Sequence, residues 1–322
     1  MILTEANPAA IAKAAALLRA GELVAFPTET VYGLGADAAN ALAVGKIFSA
    51  KGRPADHPVI VHLADPEQIT DWAAEFPDTA RKLAAAFWPG PLTIIFNKQA
   101  NVPRAVTGGQ NTVALRVPAN PTALALLRAF GGGVAAPSAN RFGRISPTQA
   151  FHVAEELGDK VSCILDGGPC SVGVESTIID LTDDAPVLLR PGRITRAQLK
   201  AVLGAEVRLS SNTQIRAPGM MAVHYAPHTI ALLCNPETLI GMIDEQCAQG
   251  KQVGVLAHSD ICRMIPCRHL ILLPDRAESY EAALYSSLRE LDNLQLDMLL
   301  IEQPPASEEW AAVNDRLSKA TV

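Results

Sequence analysis

Residues 23–37 read LVAFPTETVYGLGAD, and the rest of the chain is organised around this stretch. The apolar run at its start, bounded by Gly21, has the length of a buried strand, and Pro27 ends that strand or places it at an edge. Threonines, a glutamate and a tyrosine follow, and two glycines then allow a tight turn or a close approach to a ligand. Because ligands of α/β sheets bind at the carboxyl ends of strands, this stretch is a candidate site; a turn with solvated hydroxyls is the alternative.

The composition is that of a globular protein with about two domains. The chain has 322 residues, of which 49% are hydrophobic, 19% charged and 5% aromatic, with a formal net charge of -6. The negative charge argues against a non-specific nucleic-acid coat, because phosphate binding depends on Lys and Arg. This net charge does not exclude a local basic pocket.

The six cysteines form no CxxC pair, so the sequence predicts neither a zinc ribbon nor a thioredoxin motif. No apolar stretch reaches the roughly 18 residues of a membrane span. The N-terminus carries Glu5 and an Ala-rich segment instead of a basic region followed by an apolar block. We therefore expect a soluble, cytoplasmic protein with reduced thiols and no membrane partner.

Predicted strands, helices and hairpins mix irregularly over residues 1–205, which favours a mixed sheet. One helix is predicted over residues 66–87. Residues 206–229 change in composition and read as a linker. Residues 230–322 alternate strand and helix, which predicts a small parallel α/β domain.

The chain lacks GxxxxGK[ST], HExxH, GxSxG and a well-placed GxGxxG. Instead, cations stand in predicted turns, several beside Pro or Gly: Lys51, Arg53, Arg116, Arg141, Arg144, Arg190 and Arg193. Hydroxyls lie close to them in the sequence: Thr28, Thr30, Ser138, Ser146, Ser176 and Thr177. Together these groups suit an anionic pocket for phosphate and carboxylate. Separate solvated charges are the alternative.

Four motifs occur in order: PTETVYGL at 27–34, KGRP at 51–54, PSAN at 137–140 with SPT at 146–148, and ESTIID at 175–180. Together they resemble the L-threonylcarbamoyladenylate synthase family. RAPGM at 216–220, HYAP at 224–227 and the terminal NDRLSKA at 314–320 are similar to the linker and the end of its long, two-domain branch. The resemblance covers nearly the whole chain, with the second domain matched less specifically.

The resemblance implies synthesis of threonylcarbamoyl-AMP and pyrophosphate from L-threonine, bicarbonate or CO2, and ATP, with Mg2+. It implies that a downstream tRNA threonylcarbamoyl transferase uses the product to make N6-threonylcarbamoyladenosine at tRNA position 37. Whether this chain itself makes a weak contact with tRNA is left undecided by the resemblance. The implied fold is α/β, an open twisted mixed sheet with a large basic cavity, plus a smaller C-terminal Rossmann-like parallel α/β domain. We expect a catalytic domain at 1–205, a linker or lid over the active site at 206–229 and the small domain at 230–322.

The resemblance also implies roles for single residues. Lys51 and Arg53 are expected to carry catalysis. ATP is expected to contact Lys51, Arg53, His57, Thr112, Ser138, Asn140, Ser146, Arg190 and Tyr225. Threonine is expected to contact Thr30, His62, Arg116, Ala136 and Ser176. Mg2+ is expected on the ATP phosphates, with Glu29 helping through water.

Two positions depart from the family pattern. Many relatives carry Asn where this chain has His57, and residues 221–223 lack the basic residue often found before the His-Tyr pair. Both departures weaken the roles implied there.

The implied reaction needs no protein nucleophile, because alignment and charge stabilisation suffice, which fits many cations and no activated Ser or Cys. Since carbamates are labile in water, we expect a closed pocket, with residues 216–228 as a lid. An RNA-binding module without catalysis is one alternative, although acidity and few aromatics argue against it. A carbamoyl-transferring domain that uses carbamoyl phosphate is the other.

Overall fold

The structure is a computed structural model that describes residues 2–183, 185–210, 215–220, 224–259 and 267–322. The chain divides into two compact units. Unit 1 consists of Met1–Phe142, Pro147–Ser171 and Glu175–Met220, and unit 2 of Gly143–Ser146, Val172–Val174 and Met221–Val322. The division falls within the predicted linker 206–229, and the sequence departure at 221–223 lies outside the described residues.

Unit 1 is built on one mixed sheet, which confirms the predicted fold class. Its described strands are β1 (Ile2–Glu5), β2 (Val24–Phe26), β3 (Gly33–Asp37), β4 (Ile60–His62), β5 (Leu92–Asn97), β6 (Thr112–Arg116), β7 (Val134–Ala135), β8 (Cys163–Asp166), β9 (Thr177–Asp180), β10 (Val187–Arg190) and β11 (Arg208–Leu209). They lie in the order β1-β8-β2-β3-β7-β4-β6-β5-β9-β10-β11. The sheet combines parallel pairs such as β4–β6 and β5–β9 with antiparallel pairs such as β2–β3 and β5–β6.

Four of the seven described α-helices of unit 1 start at a residue whose polar side chain caps the backbone. The seven helices are α1 (Pro8–Arg19), α2 (Ala41–Lys51), α3 (Asp78–Phe87), α4 (Arg104–Thr107), α5 (Pro121–Phe130), α6 (Ala150–Leu157) and α7 (Arg196–Leu203). Asn7, Asn40 and Asn120 accept backbone N–H bonds at the starts of α1, α2 and α5. Gly52 ends α2 with a left-handed φ of 64°, which turns the chain between Lys51 and Arg53.

The single helix predicted over residues 66–87 is wrong. Pro66–Asp71 forms a short 3-10 helix, and α3 begins only at Asp78. Pro77 precedes α3, and a proline removes a backbone donor and disfavours helical geometry in the residue before it. The apolar pattern runs across both pieces, so periodicity alone did not reveal the break.

The glycine-rich segment after Thr30 is a strand, so the first of the two uses predicted for its glycines, a tight turn, is wrong; the second, a close approach to a ligand, stays a prediction. In β3, Gly35 lies opposite Val24 of β2, and Gly33 lies opposite Phe26. A Cβ on Gly35 would stand 2.8 Å from the Phe26 ring and 3.0 Å from the Val24 carbonyl oxygen. Glycine is needed here because neighbouring strands of the protein pack too closely for a side chain.

The two faces of the unit 1 sheet bury different clusters. The main core includes Val61, Ile94, Leu115, Ile179 and Leu188, together with the helices. The opposite face carries a smaller cluster of Ile60, Ile95, Ala114, Ile178 and Leu189, on which Ile215, Ala217 and Met220 pack. Because side chains alternate along a strand, His62 and Arg116 share the face of Ile60 and Ala114. Residues 215–220 therefore cover the face that carries the candidate polar residues.

Unit 2 contains the predicted small parallel domain. Its described strands are β12 (Ala231–Cys234), β13 (Val253–Ala257), β14 (His269–Leu272) and β15 (Met298–Glu302), in the order β12-β15-β13-β14 and all parallel. Its described α-helices are α8 (Pro236–Ala248), α9 (Ala277–Asp292) and α10 (Ala311–Ala320). Leu239, Val255 and Leu300 belong to its apolar core. Among the described residues of the whole chain, no helix has the length and apolar character needed to cross a bilayer.

Candidate active site

Arg116 is held by three protein groups of unit 1. Its Nη2 donates to Glu29 Oε1 at 2.6 Å, its Nη1 to Thr30 Oγ1 at 2.9 Å and its Nε to the Gly90 carbonyl at 3.2 Å. The second oxygen of Glu29 accepts the Ala119 N–H at 3.0 Å. Both charged side chains are buried, 4% and 8% exposed. The three bonds use three of the five guanidinium N–H groups and fix its plane, and the remaining two suit a carboxylate.

Thr28 shapes the turn that brings Thr30 to Arg116. Its Oγ1 accepts the N–H groups of Thr30 at 3.1 Å and Val31 at 3.2 Å, and lies 2.8 Å from Thr30 Oγ1. A hydroxyl that caps the following backbone in this way stabilises a turn. Both threonine side chains are buried. The alternative of an ordinary turn with solvated hydroxyls is therefore wrong.

His62 is a buried, neutral imidazole next to Arg116 across the β4–β6 pair. Burial, followed by the positive charge of Arg116, lowers the pKa of His62 to about 3. Its Nδ1 has no hydrogen-bond partner among the described residues. Because buried polar atoms in proteins are nearly always bonded, an orphaned ring nitrogen beside a fixed guanidinium marks a candidate contact for a ligand.

Ser176 lies between Arg190 and Thr93. Arg190 donates to the Ser176 carbonyl through Nε at 3.0 Å and through Nη2 at 2.9 Å, and Nη2 also reaches Ser176 Oγ at 3.1 Å. Thr93 Oγ1 is 2.7 Å from Ser176 Oγ, and all three side chains are buried. Arg190 Nη1 donates to the carbonyl of Pro218 in the linker at 3.0 Å. Arg190, predicted for the nucleotide side, thus touches a residue predicted for threonine.

The turn formed by Gly90 and Pro91 links Arg116 to Ser176. The carbonyl of Gly90 accepts Arg116 Nε, and the carbonyl of Pro91 accepts the N–H of Thr177 at 3.0 Å. Four of the residues predicted to bind threonine, Thr30, His62, Arg116 and Ser176, are therefore linked within unit 1 by direct contacts or through this turn.

A second group of cations lies at the end of α2. Lys51 is buried, and its Nζ donates to the carbonyl oxygens of Ser138, at 2.6 Å, and Asn140. Burial, followed by the charge of Arg53, holds the pKa of Lys51 well below its usual range. Arg53 Nη2 donates to the Pro58 carbonyl at 2.9 Å. Burial and the charge of Arg53 disfavour the protonated form of Lys51. A bound anion would stabilise both cations, so such a pair is typical of an anion-binding site.

His57 completes this group. Its side chain is 25% exposed, its ring meets the edge of Phe142 with centroids 5.6 Å apart, and its Nε2 is 3.9 Å from Asp56 Oδ1. Partial burial and the charge of Arg53 lower the pKa of His57. Arg216 of the linker pairs with Asp56 at 3.1 Å, so the linker contacts the same turn.

Backbone hydrogen bonds join the two groups. Residues 32–34 pair with residues 137–139 through bonds of 2.7 and 2.8 Å. The loop that Lys51 anchors is therefore bonded to the chain directly after Thr30. Ala136, predicted for threonine, is buried next to this loop, and its N–H donates to the Ile60 carbonyl at 2.9 Å.

Three further residues are predicted to contact ATP: Thr112, Ser146 and Tyr225. Thr112 begins β6, four residues before Arg116 and so about 13 Å away along the strand. Ser146 and Tyr225 belong to unit 2, where Tyr225 stacks on Tyr285 at 5.8 Å and lies under the guanidinium of Arg316 at 5.3 Å. Their roles toward ATP stay predictions.

Glu29 does not fit as a direct metal ligand. Each of its oxygens already accepts a protein N–H, one of them from a cationic guanidinium. Among the described residues, no group of three or more His, Cys, Asp or Glu side chains forms a metal site. The help of Glu29 to Mg2+ through water stays a prediction.

Sequence reasoning missed Thr93, Gly90 and the pairing of Glu29 with Arg116. Thr93 stands in an apolar run, LTIIF, and only its period-2 register with Ile95 indicates which face it occupies. A carbonyl contact such as that of Gly90 leaves no signature in side-chain chemistry. The charge pair joins residues 87 positions apart, and sequence alone does not match distant partners.

Replacing His62 with glutamine is expected to reduce the fall in the free energy of unfolding between neutral pH and about pH 5. Histidine titrates near 6.5 in the unfolded chain, whereas the pKa of His62 in the folded protein is lowered to about 3. Between these values only the unfolded chain takes up the proton, so stability falls as the pH drops below about 6.5, by about 2 kcal/mol at about pH 5. Urea unfolding near neutrality and at about pH 5 measures this loss.

The control for this experiment is His228→Gln, because the His228 side chain is exposed. It is expected to keep the wild-type loss. A His62→Gln variant that loses as much stability as the wild type would contradict the neutral state of His62.

The fold and the two groups define an α/β protein whose unit 1 holds a candidate site for a carboxylate, around Arg116, and a candidate site for a polyphosphate, around Lys51. The family model described as "Telomere recombination" (Sua5, YciO and YrdC) matches residues 16–192, and the model described as "Threonylcarbamoyl-AMP synthase, C-terminal domain" matches residues 194–322. The threonylcarbamoyl-AMP synthase of Bacillus subtilis is 46% identical over 324 residues, covering 98% of this chain and 93% of its own. That of Pyrococcus abyssi is 43% identical over 323 residues, covering 96% and 93%.

The crystal structure of P. abyssi Sua5 complexed with L-threonine superposes with a TM-score of 0.92 at 42% identity, covering 99% of this chain and 96% of that one. The chain belongs to the threonylcarbamoyl-AMP synthase family, in its two-domain Sua5 form. The resemblance seen in its motifs is confirmed.

Proposed function

We infer that this chain condenses L-threonine, bicarbonate or CO2, and ATP to threonylcarbamoyl-AMP and pyrophosphate. The observation that carries the inference is the buried Arg116, held by Glu29 and Thr30 beside the neutral His62. This is a rigid carboxylate receptor, in a chain that aligns along nearly its whole length with synthases of this product.

The threonine half of the proposed site is the connected group around Arg116. Arg116 binds the substrate carboxylate through its remaining N–H groups, and Thr30 and Ser176 supply hydroxyls. The orphaned Nδ1 of His62 receives a third substrate group. Because His62 stays neutral, it adds no charge at this half of the site, and the Arg116 guanidinium is the main positive charge that attracts the substrate carboxylate.

The ATP half is the group around Lys51, with Arg53 and His57. The phosphates of ATP, entering as the magnesium complex, supply the negative charge that relieves the repulsion between Lys51 and Arg53. The 138–140 loop, already tied to Lys51, adds Ser138 and Asn140 on the nucleotide side.

The chemistry needs alignment more than a nucleophile. The threonine nitrogen attacks the carbon of CO2 and loses a proton, which gives the carbamate. A carbamate oxygen then attacks the α-phosphorus, and the bond to pyrophosphate breaks. Holding the reactants side by side contributes roughly 7–11 kcal/mol in good cases, and fixed cations stabilise the charge on the phosphates.

Residues 215–220 act as the cover of this site. They pack on the sheet face that carries His62 and Arg116, and they are held by Arg190 through Pro218 and by Asp56 through Arg216. A cover protects the carbamate from water. A variant without these residues, run in the assay below, tests this role: unchanged turnover would argue against it.

The product is an activated adenylate, so a transferase that acts on tRNA adenosine 37 must consume it. We place the reaction in the cytoplasm, where ATP, tRNA and reduced thiols occur together. The five described cysteines are unpaired, in line with that setting.

The test is pyrophosphate release by the purified chain. We expect release from ATP only when threonine and bicarbonate are both present. An RNA-binding module would release none, and a carbamoyl-transferring domain would require carbamoyl phosphate. Either result would overturn the proposed function.

A further inference from the structure

The neighbours of Ser176 determine whether its hydroxyl donates a hydrogen bond to a ligand or accepts one. A serine hydroxyl has one proton and two acceptor positions. Arg190 Nη2 can only donate, so it fills one acceptor position of Ser176 Oγ, at 3.1 Å. The contact with Thr93 Oγ1 at 2.7 Å runs in either direction, and the direction decides what Ser176 offers to a ligand.

The burial of Thr93, together with the proposed contact of Ser176 with the substrate, decides this direction. Thr93 is 0% exposed, and among the described residues its hydroxyl has Ser176 as its only partner. If Ser176 donated, the proton of Thr93 would be buried without an acceptor, which is an unfavourable state. If Thr93 donates, its proton is satisfied and both acceptor positions of Ser176 are filled.

Without a ligand, either direction leaves one buried hydroxyl proton unsatisfied, because Ser176 is only 1% exposed. On the proposed function Ser176 contacts the substrate, so a bound oxygen can accept the Ser176 proton, whereas no such group is expected at Thr93. The second arrangement is therefore the stable one in the substrate complex, and it directs the Ser176 proton to the ligand.

We propose that Thr93 is a positioning residue that commits the Ser176 hydroxyl to donate to an anionic oxygen of the amino-acid substrate. The proposal rests on the proposed function, because it takes Ser176 as a substrate contact. The Arg190 guanidinium next to Ser176 favours an anionic partner for the same reason. A substrate ammonium group, which can only donate, does not fit a Ser176 whose acceptor positions are filled.

The test is a double-mutant cycle between Thr93→Val and Ser176→Ala, read as KM for threonine in the pyrophosphate assay. Valine keeps the shape of threonine and removes its hydroxyl, so Ser176 loses its fixed polarity. We expect Thr93→Val to raise KM for threonine about tenfold, with kcat and KM for ATP much less affected. Thr93→Ser, which keeps the hydroxyl, restores the wild-type KM.

In the Ser176→Ala background, Thr93→Val is expected to add nothing, because its effect acts through Ser176. Thr107→Val is the matched control, since Thr107 is equally buried in unit 1 and its hydroxyl lies at the end of α4. It is expected to leave KM for threonine unchanged.

Three outcomes would overturn the proposal: an unchanged KM in Thr93→Val, a Thr93→Ser variant as impaired as Thr93→Val, or additive effects in the cycle. A wild-type chain that releases no pyrophosphate would instead refute the proposed function. The two failures are therefore distinguishable.

Discussion

Replacing Arg116 with lysine is expected to lower kcat/KM for threonine by about 100-fold or more. Lysine keeps the positive charge next to Glu29, so the buried carboxylate still has a partner and the fold is retained. It cannot reproduce the planar fork that reaches Glu29, Thr30 and Gly90 together. The loss should fall on threonine, with KM for ATP little changed.

Arg128→Lys is the matched control, because Arg128 lies exposed on α5 of the same unit. It is expected to behave as the wild type. An Arg116→Lys variant with wild-type kcat/KM for threonine would mean that the guanidinium is only a structural ion pair.

Replacing Lys51 with methionine is expected to reduce adenylate formation by about 10²–10³-fold, the effect of losing one fixed charge or donor at a developing negative charge. Methionine has a similar length and no N–H groups. The variant also leaves the carbonyls of Ser138 and Asn140 without their donor, which destabilises the fold by about 1–3 kcal/mol. The kinetics are therefore measured well below the unfolding temperature of the variant.

Lys46→Met provides the control on the same helix. Lys46 is 46% exposed and pairs with Glu22 at 2.9 Å, so its loss is expected to change neither activity nor stability appreciably. If Lys51→Met kept more than half of the wild-type rate, the phosphate role of the α2 end would have to be abandoned.

Much of the fold follows from local patterns. Polar caps at Asn7 and Asn40 and the glycine at position 52 locate helix ends because each acts on backbone groups a few residues away. The strand β3 was missed because its glycines have a tertiary cause, the Phe26 ring and the Val24 carbonyl of the neighbouring strand. The assignment of residues 143–146 and 172–174 to unit 2 is likewise a matter of packing between distant segments.

The candidate site divides in the same way. Residue types and motif resemblance predict Thr30, Arg116 and Ser176 as site residues, and the structure links the three through direct contacts and the turn of Gly90 and Pro91. The residues that orient these side chains could not be predicted from the sequence. The sequence predicts that Glu29 helps to hold Mg2+ through water, whereas the structure shows its carboxylate bonded to Arg116. Thr93 looks like an ordinary strand residue in the sequence, and only the structure shows its contact with Ser176.

Calorimetric titration tests most directly whether unit 1 holds two adjoining half-sites. Threonine and an ATP analogue are titrated separately into the wild type, Arg116→Lys and Lys51→Met. We predict that Arg116→Lys loses threonine binding and keeps the nucleotide, and that Lys51→Met does the reverse. Threonine bound by Arg116→Lys as tightly as by the wild type, together with a nucleotide affinity indifferent to Lys51, would place the reaction elsewhere in the chain.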